Sequence, residues 1–478
     1  MDIITLLKDL VEGIFEAEAK FLENPKDFSA LEVNVHKLFD EGALKFIEEV
    51  LNNADKMICD SVYRKGHYDI ARHDTRTLIT SVGDIHFRNT LFKSKKDGSF
   101  QYLLSKMMEL GDKERFSEAA EAQMLIRATK SSYKEAAKAL PSKSEITKTT
   151  VMNKVHRIAE TIPEEAESIK KACRILYVEA DEDHVAEQHG RGSLESNKSF
   201  ISRLVYIYED KKDICKGRKQ LVGLHYIAGL YEGNEGIQRI WEETWDYIRK
   251  HYDTTVLEKI YVSGDGAQWI KASEDYLPLS EFVLDKFHLG KYINSAARQR
   301  KGEEKICRSE LYHLIVGNHR KRFINYIGEM LERGVKSEPV ETLGNYVLNN
   351  WEAIQKAYHE EDTWGCSAEG HVSYVLSERL SSRPMGWSQR GADRMSRLRC
   401  FVRNHGEAEI IELVKYTRKE RLHKKTGTDD AIPVPSKYRR NNNEGYVRAR
   451  SYIDRIQATI PGLTARKTYA IRNQLGLI

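Results

Sequence analysis

One run constrains this chain more than any other. Leu176-Tyr-Val-Glu-Ala-Asp-Glu-Asp-His-Val185 is β-rich and apolar and ends in Asp181 and Asp183. Its residue types favour a strand. Carboxylates held at a strand end are where metal-dependent phosphoryl-transfer enzymes keep their ligands. Two later stretches look like its partners. Lys259-Ile-Tyr-Val-Ser-Gly-Asp-Gly266 is another apolar run, delivering Asp265 into a glycine-flanked turn, and Trp364-Gly-Cys-Ser-Ala-Glu-Gly-His371 puts Glu369 near the start of a helix. The expectation is that Asp181, Asp265 and Glu369 converge as a metal-binding triad. Asp183 lies two residues on, on the same strand face, and is the alternative first ligand. Taken singly, each has a plainer reading as a turn, cap or helix-dipole residue; their joint order is what points to a site.

At 478 residues the chain is too long for one ordinary core and should form about three or four folding units. No run reaches the roughly 18 apolar residues of a membrane span, and the start Met1-Asp-Ile-Ile-Thr lacks the basic-then-apolar order of a secretory signal. A soluble, cytoplasmic and nucleoid-associated protein is expected. Six scattered cysteines without a Cys-x-x-Cys pair suggest reduced thiols, neither a disulfide framework nor a structural zinc site. Lys+Arg and Asp+Glu number 76 and 72, so the placement of charge matters more than its +4 sum. Acid concentrates early, over Glu12 to Glu49. Base concentrates late, with Arg383, Arg390, Arg394, Arg397, Arg399, Arg403, Lys424, Lys425, Arg439 and Arg440. A polyanion partner fits the later half, as does a solvated basic surface.

Taken in order, residues 1–70 read as helical, with Leu6, Leu7, Leu10 and Ile14 and then Phe39, Ala43, Phe46, Ile47 and Val50 near helical period. A bundle and a dimerisation element both fit. Residues 71–112 read as a small β-meander, whose Arg76, Arg88 and Lys93 either touch phosphate or form a solvated face. Residues 113–165 return to helix. Ser132-Tyr-Lys-Glu135 is a capping-box pattern, and after the break at Pro141-Ser142 a second helix begins at Thr147. Val151, Val155 and Ile158 take one side of that helix, leaving Lys148, Thr149, Asn153, Lys154 and Arg157 for the other. This resembles a helix-turn-helix, whose second helix enters the major groove, though a helical connector has the same pattern.

From 172 to 290 the order is three strands with short connections, with basic Lys211 to Lys219 between the second and third, then a helix over Gly236 to His251, the strand before Asp265, and a fifth strand at Phe282-Val-Leu-Asp285. That is the order of a ribonuclease-H-like core. Residues 291–362 read as a helical insertion, 363–405 as the rest of the core, and 406–478 as a basic C-terminal region. The fold class expected is multidomain α+β. In such a core Asp181 and Asp265 meet at adjacent strand ends and Glu369 reaches them from a helix on the sheet. Two-metal phosphodiester cleavage needs hard oxygen ligands, which favours Asp and Glu over Cys or His and Mg²⁺, with Mn²⁺ as substitute, over softer ions.

Tyr177-Val-Glu-Ala-Asp-Glu-Asp-His-Val185, Val262-Ser-Gly-Asp-Gly266, Leu284-Asp-Lys-Phe-His-Leu-Gly290, Cys366-Ser-Ala-Glu-Gly-His-Val372 and Leu380-Ser-Ser-Arg-Pro-Met-Gly-Trp387 resemble the ISLre-type bacterial insertion-sequence transposases, DDE enzymes related to the Mutator-like group. The resemblance covers nearly the whole chain. It implies a ribonuclease-H-like (retroviral-integrase-like) catalytic core, a divalent metal, and DNA cleavage and strand transfer at terminal inverted repeats. It makes Asp181, Asp265 and Glu369 the acidic triad, and Asp285 and His288 an auxiliary pair, with His288 equally readable as a core or capping histidine. Arg383, Arg390, Arg394 and Arg397 would line the DNA path. Holding two element ends and a target implies a homodimer or larger synaptic complex on double-stranded DNA. A nuclease without strand transfer, or a non-catalytic DNA-binding regulator derived from a transposase, are the alternatives. The N-terminal zinc element of related enzymes is not visible here.

Overall fold

The computed structural model describes residues 3–111, 113–188, 198–215, 218–332, 337–383 and 385–426. The chain is mixed α+β and divides into two compact units. One comprises residues 1–127, 132–151 and 411–478; the other comprises 128–131 and 152–410. No helix among the described residues is long and apolar enough to cross a membrane.

The first unit opens with two long helices, α1 (Ile3–Glu23) and α2 (Phe28–Asp60), and a short α3 (Val62–His67). Asp27 caps α2, its carboxylate accepting the Ala30 N–H at 3.0 Å. The β-rich stretch forms an antiparallel three-stranded sheet of β1 (Tyr68–Thr80), β2 (Gly83–Ser94) and β3 (Phe100–Tyr102), starting earlier than residue 71. Ile85, Phe87 and Phe92 of β2 pack with Ile58 and Cys59 of α2 and with Leu103 and Leu104 of α4 (Leu103–Met107). Helices α5 (Glu118–Lys130), α6 (Tyr133–Ala137) and α7 (Lys148–Glu160) follow. Ser132 caps α6 by accepting the Glu135 N–H at 3.2 Å. Asp84 fixes the loop before α7: its carboxylate takes the Ser142 and Ser144 hydroxyls at 2.6 and 2.9 Å and two backbone N–H groups.

The second unit is built on a five-stranded sheet of β4 (Ile175–Ala186), β5 (Ser199–Tyr208), β8 (His225–Gly229), β9 (Lys259–Gly264) and β10 (Ser280–Leu284), in the order β10-β9-β4-β5-β8. β4, β5 and β8 are antiparallel neighbours; β4, β9 and β10 run parallel. The connection between β5 and β8 is not the simple basic link expected, because β6 (Asp210–Cys215) and β7 (Arg218–Val222) form a separate two-stranded ribbon there. Helix α8 (Gly233–His251) crosses between β8 and β9, and short α9 (Gln268–Lys271) and α10 (Ser273–Tyr276) lie between β9 and β10. Leu176, Val178 and Ala180 of β4 face a core with Ile240, Trp241 and Ile248 of α8. The alternation of a strand therefore turns Glu179, Asp181 and Asp183 to the opposite face.

Helices α11 (Lys286–Ala297), α12 (Glu304–Val316), α13 (Arg320–Glu332), α14 (Ser337–Asn349) and α15 (Trp351–His359) follow β10 without a strand. The chain then returns to the sheet in α16 (Ala368–Val372), which continues through a π-helical turn, Ser373–Ser377, into α17 (Glu378–Leu380). Helices α18 (Gln389–His405) and α19 (Glu409–Thr426) complete the described chain. Arg418 of α19 is buried in the first unit, donating to Glu118 at 2.8 Å and Glu121 at 2.6 Å.

Candidate active site

Strand pairing aligns the first two carboxylates. β4 and β9 pair from Ile175/Lys259 to Glu179/Ser263, and two residues further along each strand stand Asp181 and Asp265. Gly264 allows the approach, since a Cβ there would lie 2.9 Å from the Ala180 carbonyl and 2.6 Å from Ile270. Gly266 has φ +92°, the left-handed region that turns the chain immediately after Asp265. Asp265 accepts the Ala267 N–H on Oδ1 at 2.9 Å, leaving its other oxygen free of that bond, and its carbonyl accepts the Tyr346 hydroxyl of α14 at 2.7 Å.

Burial first, and then the Asp265 carboxylate beside it, push the Asp181 carboxyl up to about 6, against the opposing pull of the Glu182 N–H and of His288. Asp285 ends β10 against β9, its N–H donating to the Gly264 carbonyl at 2.8 Å. It caps α11 through the Phe287 N–H and holds His288 Nδ1 at 2.8 Å, which raises the imidazole above its usual range. One turn on, Lys291 reaches Glu369 at 3.5 Å. Glu369 lies in the first turn of α16 and is 57% exposed.

The three triad carboxylates do not close to ligand distance of one another. Among the described residues, the group of three metal-ligating side chains whose atoms lie within 4.8 Å is Asp55, Cys59 and His73, in the first unit. There Asp55 is already satisfied by Arg88 Nε at 2.7 Å and by the Thr90 N–H and hydroxyl at 2.8 and 2.7 Å. That arrangement fastens α2 to β2 and is charge-balanced without an ion.

Asp183 has other neighbours. It is 8% exposed and accepts the Ser381 hydroxyl at 2.8 Å, so its side chain is engaged by the end of α17 and not by Asp265.

A residue that the sequence reading passed over joins the first strand to the third carboxylate. Glu179 is 1% exposed. It accepts the Ser367 N–H at 2.6 Å and hydroxyl at 3.1 Å, the Tyr208 hydroxyl at 2.6 Å, the Tyr206 hydroxyl, and Lys211 Nζ at 2.9 Å. Burial pushes its carboxyl up, but Lys211 and the hydrogen bonds outweigh burial and hold it below its ordinary value. Ser367 stands two residues before Glu369, as Glu179 stands two before Asp181. The sequence signal was present: a lone carboxylate inside the apolar run Leu176 to Ala180, on the face of Asp181.

The proposed DNA contacts fare unevenly. On α7, Lys148, Thr149 and Asn153 are exposed and Arg157 is half-buried. Lys154 is 7% exposed, so the expectation that it belongs to the solvent side of the helix is corrected. Arg383 is exposed. Arg390 and Arg394 both pair with Glu160, at 2.5 and 3.3 Å, and Arg397 pairs with Asp393 at 3.2 Å beneath the Tyr231 ring. Much of the late basic cluster is thus already neutralised within the unit. Arg399 is 3% exposed and bonds the Tyr374 carbonyl at 2.7 Å and Glu378 at 2.9 Å, a packing role. The side chains of Lys424 and Lys425, with Arg439 and Arg440, lie outside the described residues.

A cavity of about 420 Å³ lies away from the carboxylates, at the β8 edge, lined by His225, Tyr226, Tyr247, Arg397, Asn404 and His405 among others. Asn404 replaces a neighbouring strand there, accepting the Tyr226 N–H at 2.8 Å and donating to its carbonyl at 2.9 Å. Burial lowers buried His225 to about 3, so it stays neutral in the working range. His405 pairs with Glu165 at 3.0 Å, which raises the imidazole and lowers the carboxyl. The lowered Glu165 adds stability above its ordinary 4.5 that fades as pH falls through the lowered value; the raised His405 adds stability below its ordinary 6.5 that fades as pH rises through the raised value. His405→Ala should therefore cost more at about pH 5.5 than at about pH 8.5, by up to ~1 kcal/mol for a half-buried pair. Urea titrations at the two pH values check this, and equal costs would refute it.

With this geometry in place, comparison with known proteins assigns the family. The model for the uncharacterised protein family UPF0236 matches residues 21–417. The chain belongs to UPF0236. A UPF0236 protein of Caldanaerobacter subterraneus subsp. tengcongensis is 35% identical over 395 residues, 82% of this chain and 81% of its own. A second UPF0236 protein from that organism is 34% identical over 408 residues, 84% of each chain. Among solved structures, a chain of the Drosophila P element transposase strand transfer complex aligns over 76% of this UPF0236 chain and 92% of its own, at 12% identity and a TM-score of 0.20, too low to establish a shared fold.

Proposed function

We propose that this UPF0236 protein is a DDE-type DNA transposase of the ISLre-like kind, binding the terminal inverted repeats of a mobile element and catalysing metal-dependent strand cleavage and strand transfer. The observation that carries the reading is the alignment of Asp181 and Asp265 two residues past the last pair of the adjacent parallel strands β4 and β9, with the helix of Glu369 tied back to the first strand through Glu179 and Ser367. The strand order, with β4 central between β5 and β9, is the one expected of a ribonuclease-H-like core and supports it. The motif resemblance over nearly the whole chain supports it further.

The donor set fits a hard divalent cation, Mg²⁺ or Mn²⁺. Asp181, Asp265 and Glu369 supply oxygens only, and the Asp181 carboxyl, raised first by burial and then by the neighbouring Asp265 carboxylate, is a buried acid whose charged form positive charge would favour. Asp181 outranks Asp183 as the first ligand because Asp183 is turned to Ser381. Bound metal would activate the attacking water or 3′-hydroxyl and steady the leaving oxygen. Asp285 fixes the ring of His288 beside Asp181, and Lys291 offers positive charge next to Glu369. Lys148, Thr149 and Asn153 on α7 and Arg383 after α17 are the exposed candidates for DNA, with affinity falling as salt rises. Cleaving both ends and joining them to target DNA calls for at least a homodimer.

The test is nicking of a labelled duplex carrying the element's own end, with and without Mg²⁺, for wild type and Glu369→Gln. Metal-dependent nicking at the terminus, lost in the variant, is the expected result. Binding without nicking by the wild type would favour the non-catalytic regulator. Nicking that never proceeds to joining would favour a nuclease.

A further inference from the structure

Helix α11 leads away from the carboxylates with one side left bare. Leu289, Ile293, Ala296 and Ala297 are buried in the core. At about 100° per residue, Phe287, Lys291, Ser295 and Arg298 fall within about 80° of one another on the opposite side. All four are exposed, Phe287 to 50%. The near end of this stripe belongs to the site. Asp285 caps the helix through the Phe287 N–H at 2.9 Å and holds His288, whose ring meets the Phe287 ring edge-on with centroids 5.6 Å apart. Lys291 Nζ lies 4.3 Å from the centre of the Phe287 ring and 3.5 Å from Glu369. Phe287 is therefore bracketed by the groups that stand beside Asp181 and Glu369, yet half of it remains open to solvent. The far end carries unmatched positive charge. Residues 286–302 contain no Asp or Glu, but do contain Lys286, Lys291, Arg298, Arg300 and Lys301. Arg300 is paired with Glu303, and Lys286 lies over the Tyr358 ring at 4.6 Å. Arg298 and Lys301 are exposed and form no ion pair among the described residues. The arginines of α18, by contrast, are held by Glu160, Asp393 and Glu378.

We propose that the outer side of α11 seats the DNA strand at the point of cleavage: Phe287 stacks on a base turned out of the duplex there, and Lys291 and Arg298 take the phosphates beyond it. An open aromatic ring on a cationic track is how proteins hold unpaired nucleic acid, because every base has a π-face and every nucleotide a phosphate. A fully paired duplex offers Phe287 little, since its bases are stacked on one another. The ring instead favours a strand opened beside the carboxylates, and stacking on it offsets part of the cost of unpairing. The spacing suits one strand. Seven residues of helix set Lys291 and Arg298 about 10 Å apart, close to three phosphates at about 3.4 Å per nucleotide. The inference rests on the catalytic reading for the place of cleavage, and adds to it the side chains that hold the strand.

The experiment places 5-iododeoxyuridine singly at the nucleotides flanking the terminus of the element's own end, in a duplex bound by the full chain, and maps the photocrosslinked residue by mass spectrometry. This base couples to an aromatic ring stacked on it. A crosslink to Phe287 is expected at one of these positions, absent in Phe287→Ala and kept in Phe287→Tyr. Nicking of the fully paired duplex should fall about tenfold or more in Phe287→Ala. It should recover when a mismatch replaces the base pair at the terminus, since the base then leaves the duplex more easily. A packing defect would slow both substrates alike. Arg298→Gln should weaken binding whatever the sequence and lower the salt slope by about one. If Phe287→Ala lowers the thermal melt, the crosslink map of the wild type decides the matter. Bound duplex with no crosslink to Phe287 at any position overturns the proposal, as does a Phe287→Ala variant that nicks paired DNA at the wild-type rate. A Phe287 crosslink in a wild type that never nicks would keep the strand seat and sink the catalytic reading. A wild type that binds no DNA sinks both.

Discussion

Asp265→Asn should abolish metal-dependent nicking, by about a thousandfold or more, while duplex binding stays within about twofold of wild type. The asparagine keeps an oxygen for the Ala267 N–H, so the Gly264-Asp-Gly266 turn survives, and the residue's backbone still accepts the Tyr346 hydroxyl. What goes is the negative charge beside Asp181. A metal held by carboxylates contributes several kcal/mol of transition-state stabilisation, and each 1.36 kcal/mol is tenfold in rate, which sets the size of the loss. Because the substitution removes a like charge from the neighbourhood of Asp181, the fold should not suffer, and an unchanged urea midpoint is the control. Gel-shift and nicking assays on one preparation separate the two effects. Cleavage retained near the wild-type rate would remove Asp265 from the site, and with it the strand-end pairing on which the function is argued.

The end of β9 could be read in the sequence because it combines two independent signals, an apolar β-rich run and a carboxylate where the run stops; β4, expected to end at Asp181 and Asp183, instead runs on to Ala186 in its pairing with β5. Glycines on both sides of Asp265 added a third, which the structure explains as close approach at Gly264 and positive φ at Gly266. Side-chain partnership was not readable in the same way. Periodicity assigns Lys154 to the polar side of α7 but does not say what packs there, and the fold buries it. The arginines of α18 look like a cationic stripe until Glu160, Asp393 and Glu378, distant or near in sequence, are brought against them. The ribbon of β6 and β7 was hidden because its charged, short strands lack the alternation that marks a strand with a buried face. The stretch 291–362 between the second and third carboxylates was read as helical, and α11 to α15 run through it without a strand; α14 contributes Tyr346 to the Asp265 turn, a contact no local pattern announces.

Glu179 tests how far the site depends on a group that does not itself offer a free oxygen to it. Glu179→Ala should destabilise the protein by about 3–5 kcal/mol, the cost of leaving a buried charge without its partner. Lys211, with 7% of its side chain exposed, would keep the Gly365 carbonyl and the face of the Tyr208 ring but no counter-charge, and the Ser367 N–H and two tyrosine hydroxyls would lose the Glu179 acceptor. Pairing Glu179→Leu with Lys211→Met removes both charges together, and should recover a large part of that loss, since buried ion pairs contribute more through their breakage than through their presence. Stability alone, however, would not distinguish a positioning residue from a structural one. If Glu179 sets the start of α16, the double replacement should fold and still nick poorly, and should need more Mg²⁺ for half-maximal rate, because Ser367 no longer holds Glu369 toward Asp181. Denaturant titration and Mg²⁺ titration of nicking give the two readouts. A double variant with wild-type metal dependence would confine Glu179 to the core. One that is stable but demands more metal would make the Glu179–Ser367 bond the connection by which the first strand orients the third carboxylate.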